Sequence, residues 1–282
     1  MNINVPLNVP KKMQKVYKRN FKQATFNTGR LFLFAGDQKI EHLNDDFGEK
    51  FHNADPEQLF KIASQAPVGV FAAHLGLISR YGSAYKKIPY LVKLNGKSNL
   101  IKSQDPLSQA LWTVDDVCEF KQNSGLNILG VGYTIYLGSE YENIMVKEAA
   151  QIINDAHQNG MLAVIWIYPR GKNVKNEKSI DILAGAAGLG LCLGADFVKL
   201  NYPFGSLAKD AEKYKAVVKA AGNTGIICSG GSKVSETEFL KRIKNQISIS
   251  GARGAAIGRN LHQNDLKTAI NLAKKIKEIT TK

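Results

Sequence analysis

The chain has 282 residues, enough for one large α/β domain or two small ones. With 44% hydrophobic and 22% charged residues it has the make-up of a globular protein with a sizeable core, which excludes extensive disorder. Its 38 basic and 24 acidic residues leave a net charge of +14, a balance suited to anionic partners such as phosphorylated metabolites or nucleic acid without choosing between them.

In chain order, the first element is a basic amphipathic stretch in which Lys11, Lys12, Lys15, Lys18, Arg19 and Lys22 alternate with Val16, Tyr17 and Phe21. The aromatic spacing fits a packing stripe and no recognition motif follows, so a solvated helix face is favoured over a nucleic-acid arm. This stretch is expected to form a helical extension over 1–28, ahead of a single domain over 29–282.

Short apolar runs then recur with amphipathic stretches between them. Strands are predicted at 31–36, 68–73, 90–94, 128–133, 162–168, 195–201, 224–229 and 254–258, and helices at 56–64, 106–123, 140–159, 179–193, 207–221, 235–247 and 261–280. Pro106 after Asp105 reads as a helix start, and Ser235 with Glu238 has the spacing of a capping box. Eight alternating units without a linker predict a single (β/α)8 TIM barrel, with a doubly wound open sheet as the alternative.

In a barrel, functional residues lie at the C-terminal strand ends and point inward. Alternation along the sixth strand groups Phe197, Lys199 and Asn201 on one face and Val198 and Leu200 on the other. The fifth strand groups Val164, Trp166 and Tyr168 in the same way, the third groups Lys93 and Asn95, and the first ends at Asp37. These residues are expected to meet in one polar pocket. Lys199 interrupts an apolar run. Either its stem lies along the core with its head in water, or burial lowers its pKa and makes it a carbonyl nucleophile.

Ser229-Gly230-Gly231 and Gly258-Arg259-Asn260 follow the last two strands. Glycine there lets backbone amides approach an oxyanion, and the Arg259 fork can take phosphate oxygens in pairs. Gly188, Gly190 and Gly194 mimic a dinucleotide fingerprint but precede a strand, so close helix packing is the better account. The histidines at 42, 52, 74, 157 and 262 show no paired metal-ligand spacing. Asp37, Glu41 and His42 read as a hydrogen-bond network, and no metal or cofactor is expected. Cys118, Cys192 and Cys228 are odd in number, far apart and set among apolar residues, which predicts buried free thiols and a cytoplasmic setting. The N-terminal residues show no cleavable signal pattern, and the longest weakly polar run, 182–195, is too short and glycine-rich to span a bilayer.

Several of these segments have a family character. Gly36-Asp37 with Ile40-Glu41-His42, Leu91-Val92-Lys93-Leu94-Asn95-Gly96-Lys97, Val131-Gly132-Tyr133-Thr134-Ile135-Tyr136, Trp166-Ile167-Tyr168-Pro169-Arg170-Gly171, Ala195-Asp196-Phe197-Val198-Lys199 and the two glycine turns resemble, in order and spacing, the archaeal-type (DhnA-type) class I fructose-1,6-bisphosphate aldolases. The resemblance implies Lys199 as the Schiff-base lysine, Tyr168 as general acid/base, Trp166 as an active-site wall and Asp37 as the acid near the reacting hydroxyls. It also implies a phosphorylated sugar substrate in glycolysis and gluconeogenesis and a homo-oligomer, often a decamer. On that reading Ser229, Gly230, Gly231, Gly258 and Arg259 hold one phosphate and Arg170 the distal one. Lys93 either depresses the Lys199 pKa by repulsion or touches phosphate or hydroxyl. The chain departs from the family pattern at Gln38-Lys39, at Ser232 and at Leu261-His262. The rival readings are a related Schiff-base barrel such as an aminodideoxyheptulosonate synthase, and a noncatalytic phosphosugar- or nucleic-acid-binding protein.

Overall fold

The computed structural model describes Met1, residues 3–43 and residues 54–282. Eight parallel strands close into a barrel in sequential order. They are β1 (Leu31–Ala35), β2 (Val70–His74), β3 (Tyr90–Lys93), β4 (Ile128–Leu137), β5 (Leu162–Pro169), β6 (Phe197–Leu200), β7 (Gly225–Ser229) and β8 (Gly254–Ile257), with β8 pairing back onto β1. The helices are α1 (Gln14–Ala24), α2 (Gln38–Glu41), α3 (Glu57–Gln65), α4 (Leu75–Tyr81), α5 (Val114–Ser124), α6 (Glu142–Gln158), α7 (Ile180–Leu193), α8 (Ala208–Ala220), α9 (Glu236–Ser248), α10 (Arg259–His262) and α11 (Leu266–Thr281). The closed barrel settles the alternative of an open sheet.

Strand alternation divides the core in two. Outward residues such as Val92, Ile165, Ile167, Val198 and Leu200 pack under the helices. Inward residues, including Leu33, Val70, Leu91, Val164, Trp166, Phe197 and Ile227, fill the barrel itself. Register pairs Val164 with Phe197 and Trp166 with Lys199, so the inward row of β5 runs level with that of β6. Between sheet and helix, Gly190 on α7 accounts for part of the glycine-rich run, because a Cβ there would lie 2.2 Å from Val198 Cγ2.

Helix α1 seals the N-terminal end of the barrel. Its four basic side chains, Lys15, Lys18, Arg19 and Lys22, are exposed, as are Lys11 and Lys12 just before it, whereas Tyr17, Asn20 and Ala24 are buried. Phe21 stacks on Phe197 at 5.8 Å, and Asn20 Nδ2 donates to the Gly160 carbonyl at 2.8 Å. The aromatic stripe is a packing face, and it extends the barrel's interior stack by one ring.

Three predicted boundaries fail for physical reasons. Residues 106–112 are not helical, and α5 begins after Thr113, whose Oγ1 accepts from Asp116 N while the Asp116 carboxylate accepts from Thr113 N in a full capping box. Side-chain donors from neighbouring segments hold the preceding loop, with Asn95 Nδ2 on the Ser108 carbonyl and Ser139 Oγ on the Pro106 carbonyl. Asp105 is a brace between loops, its Oδ1 accepting from Glu140 N at 3.1 Å and Lys172 N at 3.2 Å. β4 runs four residues beyond the predicted 133, because Thr134 to Leu137 continue the ladder against Trp166 to Pro169. The terminal helical stretch is interrupted after His262 and restarts at Leu266, where Asp265 Oδ1 caps Thr268 N at 2.9 Å.

The cysteines are free, as expected, yet only Cys228 is buried. Cys118 is half-buried and Cys192 is exposed, since it falls on the outer face of α7. Among the described residues no helix is long and apolar enough to cross a membrane.

Candidate active site

Five inward rows end in polar residues at the C-terminal mouth. Leu33 and Ala35 lead to Asp37, Val70 and Ala72 to His74, Leu91 to Lys93 and Asn95, Val164 and Trp166 to Tyr168, and Phe197 to Lys199 and Asn201. A cavity of about 140 Å³ opens there, lined by Asp37, Tyr168, Arg170, Lys199 and Arg259 together with Ser229, Gly230, Gly231 and Gly258. A second hollow of about 350 Å³ shares Glu41, His42, Arg170 and Arg259 with it and adds Lys97, Asn99 and Tyr136. Thus nine predicted residues line one cavity, and two, Lys93 and Trp166, lie beneath it.

Trp166 is the floor of the site more than its wall. Its ring is 1% exposed, and the amines of Lys93 and Lys199 each stand 5.2 Å from a Trp166 ring centroid. Lys93 is fully buried and donates to the carbonyl and the side-chain oxygen of Asn95 at 3.0 and 3.1 Å, with the Asp37 carboxylate 3.9 Å away. Held in this way it lies outside the lining of the cavity. Asn95 in turn donates to the Ser108 and Thr134 carbonyls and accepts from Thr134 N, so it pins β3 to β4.

Lys199 is only 8% exposed. Among the described residues its Nζ has no hydrogen-bond or ion-pair partner. Burial pushes its pKa down, Asp37 and Glu41 oppose that shift, and the Arg259 charge assists it. The depressing influences are therefore desolvation and Arg259, and the expected repulsion from Lys93 shows itself on Lys93, whose own pKa burial lowers first and Lys199 further. Burial alone would raise the Asp37 pKa, but Lys199, Lys93 and His74 hold it below the usual carboxylate range. Tyr168 is the reverse case. Burial first, then the Glu41 and Asp37 charges, raise its pKa well above 10, while Arg170 and Arg259 pull the other way. The Arg170 guanidinium lies 5.0 Å from the Tyr168 ring centroid and 5.9 Å from that of Tyr136.

The two glycine turns come from the last two βα units. Ser229 Oγ donates to Asn201 Oδ1 at 3.1 Å, and Gly230 N donates to the Ala256 carbonyl at 2.9 Å, tying the first turn to the end of β6 and to strand β8. Gln38, one of the departures from the family pattern, lines the cavity, whereas Lys39 donates to the Ala54 carbonyl at 3.2 Å. Glu41 Oε1 accepts from the Tyr136 hydroxyl at 3.3 Å. Among the described residues no group of three His, Cys, Asp or Glu side chains could hold a metal ion, and His52 lies outside them.

Two contributors escaped sequence reasoning. His74 is 5% exposed, with Nε2 3.1 Å from the Asn95 carbonyl, and lies one residue past the predicted end of the second strand, in the inward row of 70, 72 and 74. Lys97 lines the second hollow, and its place in the Leu-Asn-Gly-Lys segment was the available signal. Cys228 is a packed thiol, its pKa pushed up to about 12 by burial.

A parallel barrel with a desolvated lysine on β6, without a hydrogen-bond partner among the described residues, a phenol on β5 and glycine turns after β7 and β8 has the layout of an enzyme that attacks carbonyl groups with an amine. Residues 31–264 match the model of the DeoC/LacD family aldolases, and the chain belongs to that family. The fructose-bisphosphate aldolase/6-deoxy-5-ketofructose 1-phosphate synthase of Methanocaldococcus jannaschii is 55% identical over 282 residues, covering 99% of this chain and 90% of that protein. The structure of fructose-bisphosphate aldolase from Slackia heliotrinireducens superposes with a TM-score of 0.95 at 48% identity, covering 99% of this chain and 90% of that one. An archaeal fructose-1,6-bisphosphate aldolase, solved with its catalytic Lys covalently bound to the carbinolamine intermediate of the substrate, superposes with a TM-score of 0.80 at 33% identity over 93% of this chain and 99% of that one.

Proposed function

We propose that the protein is a class I aldolase that reversibly cleaves fructose 1,6-bisphosphate to dihydroxyacetone phosphate and glyceraldehyde 3-phosphate, in glycolysis and gluconeogenesis. The observation that carries this reading is the Lys199 amine, buried and unbonded over Trp166 and facing a cavity that Tyr168 also lines. Neutral Lys199 attacks carbon 2 of the open-chain ketose to give a carbinolamine. Tyr168, a phenol at rest, gives its proton to the departing hydroxyl, so water leaves and an iminium and a phenolate remain. The iminium cation, like Arg170 and Arg259, favours that phenolate. The phenolate takes the carbon 4 hydroxyl proton as the bond between carbons 3 and 4 breaks, and its electrons pass into the enamine. Tyr168 then protonates carbon 3, and water releases the ketone. Asp37 balances the charge on Lys93 beside this sequence.

Ser229, Gly231, Gly258 and Arg259 take the carbon 1 phosphate, and Arg170 with Lys97 the distal one. No step requires a metal or an organic cofactor. A second reading comes from the Methanocaldococcus jannaschii relative, whose product name describes a sugar with one phosphate, on carbon 1. Such chemistry uses the β7 and β8 turns and leaves the Arg170 and Lys97 end unoccupied. The same reading has the protein working in the cytoplasm as a homo-oligomer, with a decamer as the assembly to test, and the 75% exposed Leu100 and Ile101 support an assembly surface.

One experiment addresses both readings: cleavage of fructose 1,6-bisphosphate and of fructose 1-phosphate, each trapped with borohydride and mapped by mass spectrometry. A label on Lys199 with faster bisphosphate turnover is expected. Equal turnover of the two substrates favours the single-phosphate reading, and no label with either overturns both.

A further inference from the structure

Beneath the turn after β7 stands Asn260, which is 3% exposed and does not line the cavity. Its Nδ2 lies 3.3 Å from the Gly230 carbonyl, 3.4 Å from that of Gly231 and 3.3 Å from that of Ser232. Arg242 Nη2, reaching from α9, donates to the same Gly230 oxygen. Asn260 is itself fixed, its carbonyl accepting from Asn264 Nδ2 at 2.7 Å.

In a trans peptide the C=O of one residue and the N–H of the next point in opposite directions. Donors that draw the 230, 231 and 232 carbonyls to one side therefore set the Gly231 and Ser232 N–H groups on the other. Among the described residues neither of those N–H groups has a protein acceptor, whereas Gly230 N is already bonded to Ala256. The Gly230–Gly231 unit is the weak point of such a site. Glycine permits its peptide to flip, and Gly231 has φ +68°, a conformation glycine tolerates best. A flip would exchange an N–H for a carbonyl oxygen facing the anion.

We propose that Asn260, helped by Arg242, is a positioning residue that locks this peptide with its N–H toward the phosphate. Asn260 acts from below the turn and touches no substrate. The inference rests on the reading of the β7 turn as a phosphate site, and its test includes an arm that needs no turnover.

Binding of inorganic phosphate to the full chain is titrated by calorimetry for the wild type, Asn260→Asp and Asn260→Ala. Loss of a hydrogen bond or two that set the donor corresponds to about tenfold weaker phosphate binding. Asn260→Asp keeps the shape and loses the donor, so it should weaken binding as much as Asn260→Ala. In condensation with glyceraldehyde 3-phosphate, the kcat/KM ratio of dihydroxyacetone phosphate over dihydroxyacetone should fall by a similar factor. Wild-type phosphate affinity in Asn260→Asp, or an equal fall for both donors, overturns the proposal. Hydrogen exchange on the wild type adds a check that needs no variant to fold: inorganic phosphate should slow exchange at Gly231 and leave Gly230 unchanged, and no protection at Gly231 overturns the proposal. An inactive enzyme that still shows this pattern would sink the aldolase reading and leave the role of Asn260 standing.

Discussion

The two ends of the barrel bury charge in opposite ways, and β6 shows both. Just before the strand, Asp196 accepts from the Tyr17 hydroxyl, lies 3.1 Å from His157 Nε2 and accepts from Ala163 N at 2.8 Å. Three positions later, Lys199 is 8% exposed and, among the described residues, meets the face of Trp166 with no hydrogen-bond or ion-pair partner. A buried charge is tolerated when its hydrogen-bonding capacity is filled, and otherwise the group shifts toward its neutral form. Asp196 is thus a structural tie between α1 and the barrel, whereas burial shifts Lys199 toward its neutral form. Cavity size would have misled: a hollow of about 580 Å³ lies at the Asp196 end, against about 140 Å³ at the Lys199 end. What distinguishes Asp196 from Lys199 is whether the group has hydrogen-bond partners among the described residues.

If that contrast is right, the largest effect belongs to Lys199→Met. It should lower aldol cleavage by more than about a thousandfold and abolish borohydride labelling, measured by coupled assay and mass spectrometry; retained turnover would erase the distinction between the ends. Tyr168→Phe keeps the ring and loses the proton, so kcat should fall by about 10² to 10⁴. Single-turnover trapping would then show where along the sequence the block lies.

At the opposite end, Tyr17→Phe should cost about 1–3 kcal/mol in urea unfolding, the loss of a hydrogen bond to a charged group, and leave turnover close to wild type. A large fall in kcat with unchanged stability would break the comparison from the other side. The smallest effect concerns His74, whose pKa burial lowers from 6.5 to about 4, with Lys93 assisting. Between those values the unfolded chain binds a proton that the folded chain refuses, so stability present above pH 6.5 is lost as the pH falls toward 4. Unfolding midpoints across that range should slope less steeply in His74→Gln, and an unchanged slope would remove His74 as the cause.

Much of this was legible in the order of residues. Eight apolar runs spaced by amphipathic stretches imply βα units whatever their final contacts, since each strand must be covered by a helix. Alternation with period two then aims Asp37, Lys93, Tyr168 and Lys199 inward. Local signals were weaker where distant donors intervened. Pro106 looked like a helix start, yet side chains from Asn95 and Ser139 hold that loop extended. His74 was lost to a boundary error of one residue.

Period and parity are local properties of a chain, which is why sequence could specify a barrel and the inward direction of Lys199. Partnership is a long-range property. That Asp196 is satisfied from α1 and α6 while Lys199 is not, that Lys93 is locked by Asn95, and that Arg259 and burial depress the Lys199 pKa all depend on groups brought together from remote positions. Desolvation is set by everything that surrounds a group, and folding brings those surroundings together.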